Sequence, residues 1–600
     1  MQIYTSFRFF PEQTFSVGYL LGETAFDCKI WNRAILGYNA TIEVIEQKRT
    51  WTNSESHRQG IHELATEIGL YEKIIRACIN SGQIEKALEY LERSRSKRLV
   101  DLMASNDLYG DVEIPQDVRE FLQQYEGLQQ QIDNLRSNND RNGDRSLLNT
   151  SNRTRAALES ELAAITNLEA QKQEIWQQIR QLDPVLAGEI QVNAPNIAQM
   201  QRLIECSTTA ILSFFTTNTE TYVFVLRQNG ITLHICDGQG LDTLQSWLRR
   251  EWSTHLKNYS QWKEHLNFTL AQLAQRLQID KLIEEHLDGI EELIIIPHLL
   301  LHQIPFAAIP VENGYLCDRF LIRYIPSCQI LEFCQQRPEV KTLIHGTVED
   351  AEENLPFASF EGEQIAQLFQ IPREKRLQGS QEATRTNYRQ LIEQVQFIHC
   401  CHHAESRLDN PLESRLKLAD GSITLGQLMT PGWRLPDLSD VFLACCETGL
   451  GEPSLSDDLF ALSTSFLCAG ARTVISSLWR VKDLATALFS IFYYQQLKQG
   501  KDSSFAIQQA QIQLRQLKKE DLSAIAIPIQ NRTKELIKER KKYPSGSIER
   551  LQWEHRYNTY EGMTRQVNKI LNAPEELPFS NPLYWAAFIC QGLRKPYRKE

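Results

Sequence analysis

No apolar run in this chain of 600 residues approaches the roughly 18 needed to span a membrane; the longest, Leu293 to Leu301, is short and contains Pro297 and His298. The opening MQIYTSFRFFPEQTF lacks the basic-then-apolar order of a signal peptide. Its 13 cysteines are odd in number and form no CxxC pair, so neither a disulfide framework nor a zinc ribbon is expected. With only 28 glycines and 21 prolines, collagen-like, mucin-like and wholly disordered chains are excluded. Basic residues are outnumbered, 64 Lys and Arg against 75 Asp and Glu, and a net charge of −11 does not suit a nucleic-acid platform over the whole surface. What is present is an ordinary globular composition, 42% hydrophobic, and length for about four domains. The expectation is a soluble, cytoplasmic protein without metal or cofactor.

Four regions follow from the patterning. In residues 1–110, Ile74, Ile75 and Cys78 before Gly82, then Ala87, Leu91 and Ser94, keep helical spacing on both sides of a small-residue turn. These residues resemble a tetratricopeptide (TPR) repeat, and the segment from Phe26 to Trp51 is read as a degenerate one; a generic helical pair is the alternative. Across 111–188, Phe121, Tyr125, Leu128, Ile132 and Leu135 step as a heptad seam that Leu158, Leu162, Ile165, Ile175, Ile179 and Leu182 resume after a polar break. That predicts an antiparallel helical hairpin, with an intermolecular coiled coil as the alternative. From 189 to 340 strands and helices mix, including a helix from Leu241 to about Leu277. From 341 to 600 they alternate: strands at Thr342–His345, Gln396–Cys401, Asp440–Cys445 and Thr473–Ser477, helices at 360–370, 383–394, 457–469 and 483–499, and a last strand at Tyr584–Cys590. This is the pattern of a mostly parallel sheet flanked by helices.

Two of those strands end in reactive side chains. One closes as Phe397-Ile398-His399-Cys400-Cys401-His402-His403, the other as Leu443-Ala444-Cys445-Cys446-Glu447-Thr448-Gly449. Ligands of open parallel sheets bind beyond the carboxyl ends of strands, and a cysteine beside an imidazole there can become a thiolate nucleophile. The structural alternative is core packing, since free cysteines are commonly buried. A zinc site in the CCHH run is not expected, because successive side chains of a strand point to opposite faces.

The stretch from about 190 to 590 resembles the CHAT family, caspase-like domains that occur with TPR repeats and share a cysteine-peptidase clan with caspases and separase. The resemblance rests on IIIPHLLLHQIPFAAIP at 294–310, YLCDRFLIRYIPS at 315–327, FEGEQIAQLF at 360–369, FIHCCHHA at 397–404, FLACCETGLGEP at 442–453, AGARTVISSLWRVKDLATA at 469–487 and PLYWAAFICQG at 582–592. It implies an α/β caspase-like fold whose first part, 189–340, is a non-catalytic half and whose second, 341–600, is catalytic.

By the same resemblance the catalytic histidine falls on His403, with His399 structural, and the nucleophile on Cys446 rather than Cys445. The glycine that normally follows the histidine is Ala404 here; its amide and that of Cys446 are the implied oxyanion donors. A methyl group at 404 is harmless at negative φ and strained at positive φ. Asp483 matches the acid that in separase receives a basic P1 side chain, although an aspartate at the start of a helix is also a common cap; Asp457 and Asp458 stand next in line. The region 531–570 carries ten Lys and Arg against five Asp and Glu, a docking surface or a solvated helical pair. The expected function is a cysteine endopeptidase that cleaves a protein partner after a basic residue and is regulated through its helical part. The alternative is an inactive CHAT/TPR signalling scaffold; nucleic-acid binding comes third.

Overall fold

The computed structural model describes residues 11–50, 69–108, 114–144, 155–182, 193–253, 259–338, 340, 343–445, 448–451, 457–545 and 547–594. The helical front consists of α1 (Pro11–Asp27), α2 (Trp31–Thr50), α3 (Leu70–Asn80), α4 (Ile84–Ser94) and α5 (Lys97–Leu108). Helices α3 and α4 flank the turn at Gly82, whose φ of 75° suits glycine. Ile74, Ile75, Cys78, Ala87 and Leu91 are buried as the spacing predicts, and so are Ala34, Tyr38 and Ala40 of α2, whereas Leu36 faces water. The hairpin is α6 (Gln116–Asp144) and α7 (Arg155–Gln181), with Tyr125, Ile132, Trp176 and Ile179 inside.

Among the described residues, eleven strands form one sheet: β1 (Thr209–Thr216), β2 (Thr221–Arg227), β3 (Gly230–Cys236), β4 (Glu292–Ile296), β5 (Leu321–Tyr324), β6 (His345–Glu349), β7 (Arg376–Gln378), β8 (Phe397–Cys401), β9 (Asp440–Leu443), β10 (Thr473–Ser477) and β11 (Phe588–Gly592). Their spatial order is β3-β2-β1-β4-β5-β11-β10-β9-β8-β6-β7. Only β1–β2, β2–β3 and β10–β11 pair antiparallel, so the sheet is mostly parallel. One sheet therefore runs through both the 189–340 and 341–600 regions, joined where β11 lies between β5 and β10. The buried Arg323 on β5 marks this seam: its Nε lies 2.9 Å from Glu292 Oε1 on β4, and its Nη1 donates to the Gly592 carbonyl of β11 at 3.0 Å.

Alternation along the strands sends side chains into two cores. Ile211, Ile294, Ile398, Val441 and Leu443 pack with the helical front, the hairpin, α11 (Arg385–Ile392) and α12 (Leu462–Ala469). Leu212, Ile295, Phe442 and Ile475 pack on the opposite face with α8 (Tyr259–Arg276), α9 (Ile279–His286), α10 (Pro356–Phe369), α13 (Asp483–Lys498) and α14 (Ser503–Gln516). The short strands are buried on both faces, which is why they read as continuous apolar runs.

Several boundaries differ from the sequence reading. Of the strand expected at Thr342–His345, Thr342 lies outside the described residues; the strand starts at His345 and runs to Glu349, through buried polar Thr347 and Glu349 that break the apolar pattern, the carboxylate of Glu349 taking two bonds from Arg376 on β7, at 2.9 and 3.0 Å. The helix expected from 457 starts at Leu462, since Asp457 and Asp458 bond other elements instead. The long helix from Leu241 is interrupted by wide turns at Leu241–Gln245 and Arg249–Ser253 before α8 begins. The last strand is shifted to Phe588–Gly592, after a short helix at Pro582–Trp585. The basic region forms parts of two packed helices, α15 (Lys519–Arg540) and α16 (Ile548–Leu571).

Candidate active site

Four parallel neighbours, β6, β8, β9 and β10, send their carboxyl ends to one edge, where His403 and Ala404 follow β8, Cys445 follows β9 and Asp483 follows β10. Strands β8 and β9 are in register with His399 opposite Phe442 and Cys400 opposite Leu443. His403 leaves β8 two residues after its end. On β9 the described chain continues to Cys445, whose buried Sγ donates to the Cys400 carbonyl at 3.3 Å and so ties the two strand ends together. Cys446 and Glu447 lie outside the described residues. The turn that resumes at Thr448 is tightly held. Ser477 Oγ donates to the Cys445 carbonyl at 2.7 Å, Gly449 N donates to Ser477 O at 2.8 Å, and a Cβ on Gly449 would meet Ser476 Oγ at 2.7 Å.

His403 is partly exposed, its side chain 31% accessible. Its carbonyl accepts the Lys417 N–H at 2.9 Å, and its Nε2 lies 2.6 Å from Asn354 Oδ1. An Nε2–H that donates to Asn354 leaves the lone pair on Nδ1, free to accept a proton. Asn354 is placed by the loop after β6. Asp350, in the left-handed region at φ 45°, accepts the N–H groups of Asn354 and Leu355 at 2.9 and 3.0 Å and so winds the chain into α10. Burial lowers the His403 pKa below its ordinary value, Glu352 opposes this, and the charges of Lys417 and Arg480 add to it. The imidazole is therefore held neutral, as a proton acceptor requires.

Ala404 begins a short strand, Ala404–Glu405, paired antiparallel with Arg415–Leu418. It does not have positive φ, so its methyl group introduces no backbone strain. His399 is buried, its Nε2 3.0 Å from Glu361 Oε1 on α10, and its ring packs on Phe442 and Tyr494. Cys401 Sγ points to the same face and donates to the carbonyls of Val348 and Ala358. Burial pushes the thiols of Cys400 and Cys401 up, that of Cys400 to about 12, so both stay protonated and unreactive.

Asp483 is the first residue of α13, with Lys482 at the cap position. Its Oδ2 accepts the Phe357 N–H at 2.8 Å, so the carboxylate closes the N-terminus of α10 rather than that of its own helix. Burial pushes its pKa up to about 7; the Phe357 bond opposes the rise, and nearby Glu361 and Asp350 reinforce it. Asp457 and Asp458 sit elsewhere. Buried Asp457 accepts from Leu299 N at 2.9 Å and lies 3.1 Å from His302 Nε2, and Asp458 accepts the Arg98 and Leu99 N–H groups of α5. The structure thus brings His403, Ala404 and Cys445 to one pair of strand ends, sets Asp483 near Asp350, and assigns Asp457 and Asp458 to the joint with the helical front. Asn354, Asp350, Glu352, Lys417 and Arg480 are additions that the sequence reading missed. The one local signal was an Asp-to-Asn loop ahead of Pro356, the first residue of α10.

The CHAT domain model matches residues 268–593. No curated protein matches the chain. Among solved structures, the chain is similar to gingipain R, an Arg-specific cysteine proteinase, with 10% identity and a TM-score of 0.30 over 39% of this chain and 61% of that one. It is also similar to the Saccharomyces cerevisiae separase–securin complex, with 10% identity and a TM-score of 0.34 over 80% of this chain and 46% of that one. The chain therefore spans less than two thirds of either. With more than half of its length matched by the family model, the chain belongs to the CHAT-domain family.

Proposed function

We propose that the protein is a cysteine endopeptidase with Cys446 as nucleophile and His403 as its base. The observation that carries this reading is the pairing of β8 with β9: a neutral, oriented imidazole leaves one strand end, and the chain leading directly to Cys446 leaves the next. The Cys446 thiol gives its proton to His403 Nδ1, and the thiolate attacks the scissile carbonyl. The amides of Ala404 and Cys446 hold the oxyanion. His403 then protonates the leaving amine, and water hydrolyses the acyl-enzyme. Asp483 takes a basic P1 side chain, with charge-assisted bonds offsetting the desolvation of both groups. The helical front regulates access of a protein partner, and its joint to the domain at Asp458 and α5 gives that regulation a physical route.

The nucleophile is tested by thiol labelling. A cysteine-directed electrophile is expected to modify Cys446 and to lose its target in Cys446→Ala. Labelling that persists there and disappears in Cys445→Ala reverses the assignment.

A further inference from the structure

The sheet ends on one side at β3, an edge strand whose open backbone must be protected. Along β3 the exposed Ile235 lies between the buried His234 and Cys236, so the latter two face inward together. Both reach one carbonyl, that of Leu277 between α8 and α9: His234 Nε2 at 3.2 Å and Cys236 Sγ at 3.3 Å. Opposite His234 stand Glu285 and His286, the last two residues of α9. Arg227 on β2 fixes that helix end by donating to the carbonyls of His286 and Asp288.

The two imidazoles are arranged as ligands of one ion. Their centroids are 5.7 Å apart with the planes at 78°. Two rings bound at Zn–N of about 2.0–2.1 Å on a tetrahedral ion place their centroids about 5 Å apart. Glu285 Oε2 lies 3.7 Å from His286 Nε2, and one nitrogen of each ring and one carboxylate oxygen all lie within 4.8 Å of one another. A neutral His234 that donates Nε2–H to the Leu277 carbonyl keeps its lone pair on Nδ1, the outer-shell arrangement that fixes the tautomer of metal-bound imidazoles. Glu285 supplies the negative charge that attracts a cation between the two rings. The side chains of Glu285 and His286 are 49% and 14% exposed, so a fourth position is open to water.

We propose that His234, Glu285 and His286 form a Zn2+ site, with water as fourth ligand, that staples edge strand β3 to the end of α9. The site is far along the sheet order from β8 and β9 and is independent of the peptidase reading. Because its ligands are separated by some fifty residues and only two are adjacent, no metal-binding spacing marks it in the sequence.

The test uses the full chain, stripped with a chelator and titrated with Zn2+ by calorimetry, then with Co2+ followed in the visible. One ion per chain is expected, with cobalt d–d bands and no thiolate charge-transfer band. Glu285→Gln and His286→Gln, both near the surface, should each weaken Zn2+ binding by more than about tenfold, the cost of losing even an outer-shell partner, with unchanged far-UV circular dichroism. Zn2+ should also raise the melting temperature of the parent and leave that of His286→Gln unmoved. Absence of stoichiometric binding, equal affinity in the parent and both variants, or a thiolate band would overturn the proposal.

Discussion

Asn354→Ala is the most informative single change at the candidate site. The residue lies on an exposed loop, and its side-chain oxygen meets His403 Nε2 at 2.6 Å. Deleting it removes one hydrogen bond, worth about 0.5–1.5 kcal/mol net. Since 1.36 kcal/mol is tenfold in rate, the bond alone accounts for a loss of roughly 2- to 13-fold in kcat/KM. Its second effect is on the tautomer: without an acceptor at Nε2 the neutral ring is free to carry its proton on Nδ1, the nitrogen meant to receive the thiol proton. We therefore expect kcat/KM on a cleavable peptide to fall about tenfold or more. Stability should change by less than about 0.5 kcal/mol, as for other exposed positions. Asn354→Asp separates orientation from bulk. A carboxylate beside the ring favours the imidazolium, so the acid limb of kcat/KM should move to higher pH, whereas in the parent it should lie below about 6.5, the ordinary histidine value. Parent-like kcat/KM in Asn354→Ala together with an unmoved acid limb in Asn354→Asp would refute the reasoning.

Further predictions follow from buried charges and from Ala404. Lys172 of α7 lies 2.6 Å from Glu413 Oε1, with the two side chains 1% and 4% exposed, so Lys172→Met strands a carboxylate and should cost about 3–5 kcal/mol in denaturant unfolding; Lys172→Met with Glu413→Leu should recover most of it. Asp483, with a pKa near 7, retains between about pH 4 and pH 7 a proton that the unfolded chain has released. Stability must therefore fall as pH rises through that window, by at most about 1.4 kcal/mol per pH unit, and Asp483→Asn should flatten this slope in urea midpoints measured against pH. Ala404→Gly should leave kcat/KM within about threefold of the parent, because the extended backbone at Ala404 needs no glycine.

The sequence revealed what is local and periodic. Ile74, Ile75, Ala87 and Leu91 announced α3 and α4, the 4-3 steps from Phe121 announced α6, and the apolar strands β8, β9 and β10 were read to within about two residues. What escaped depends on distant partners. Glu349 is tolerable inside β6 because Arg376 and Gln378, on another strand, and Thr347 bond its carboxylate. Asp457 and Asp458 resemble helix-starting residues until His302 and the N-terminus of α5 are seen to claim them. Asn354 is marked locally only by the Asp-to-Asn loop ahead of Pro356, which gives no hint of a contact with His403, 49 residues away. Nor does local patterning reveal that β11, the last strand, is inserted antiparallel to β10 in the middle of the sheet.

The central claim is that Cys446 and His403 cleave peptide bonds. Incubating the full chain with a positional-scanning peptide library, in parallel with Cys446→Ala and His403→Ala, tests it most directly. The account predicts cleavage after Arg or Lys by the parent, none after Asp, and no turnover by either variant. Equal turnover by the parent and Cys446→Ala would contradict it, and so would a parent inert on every peptide of the library.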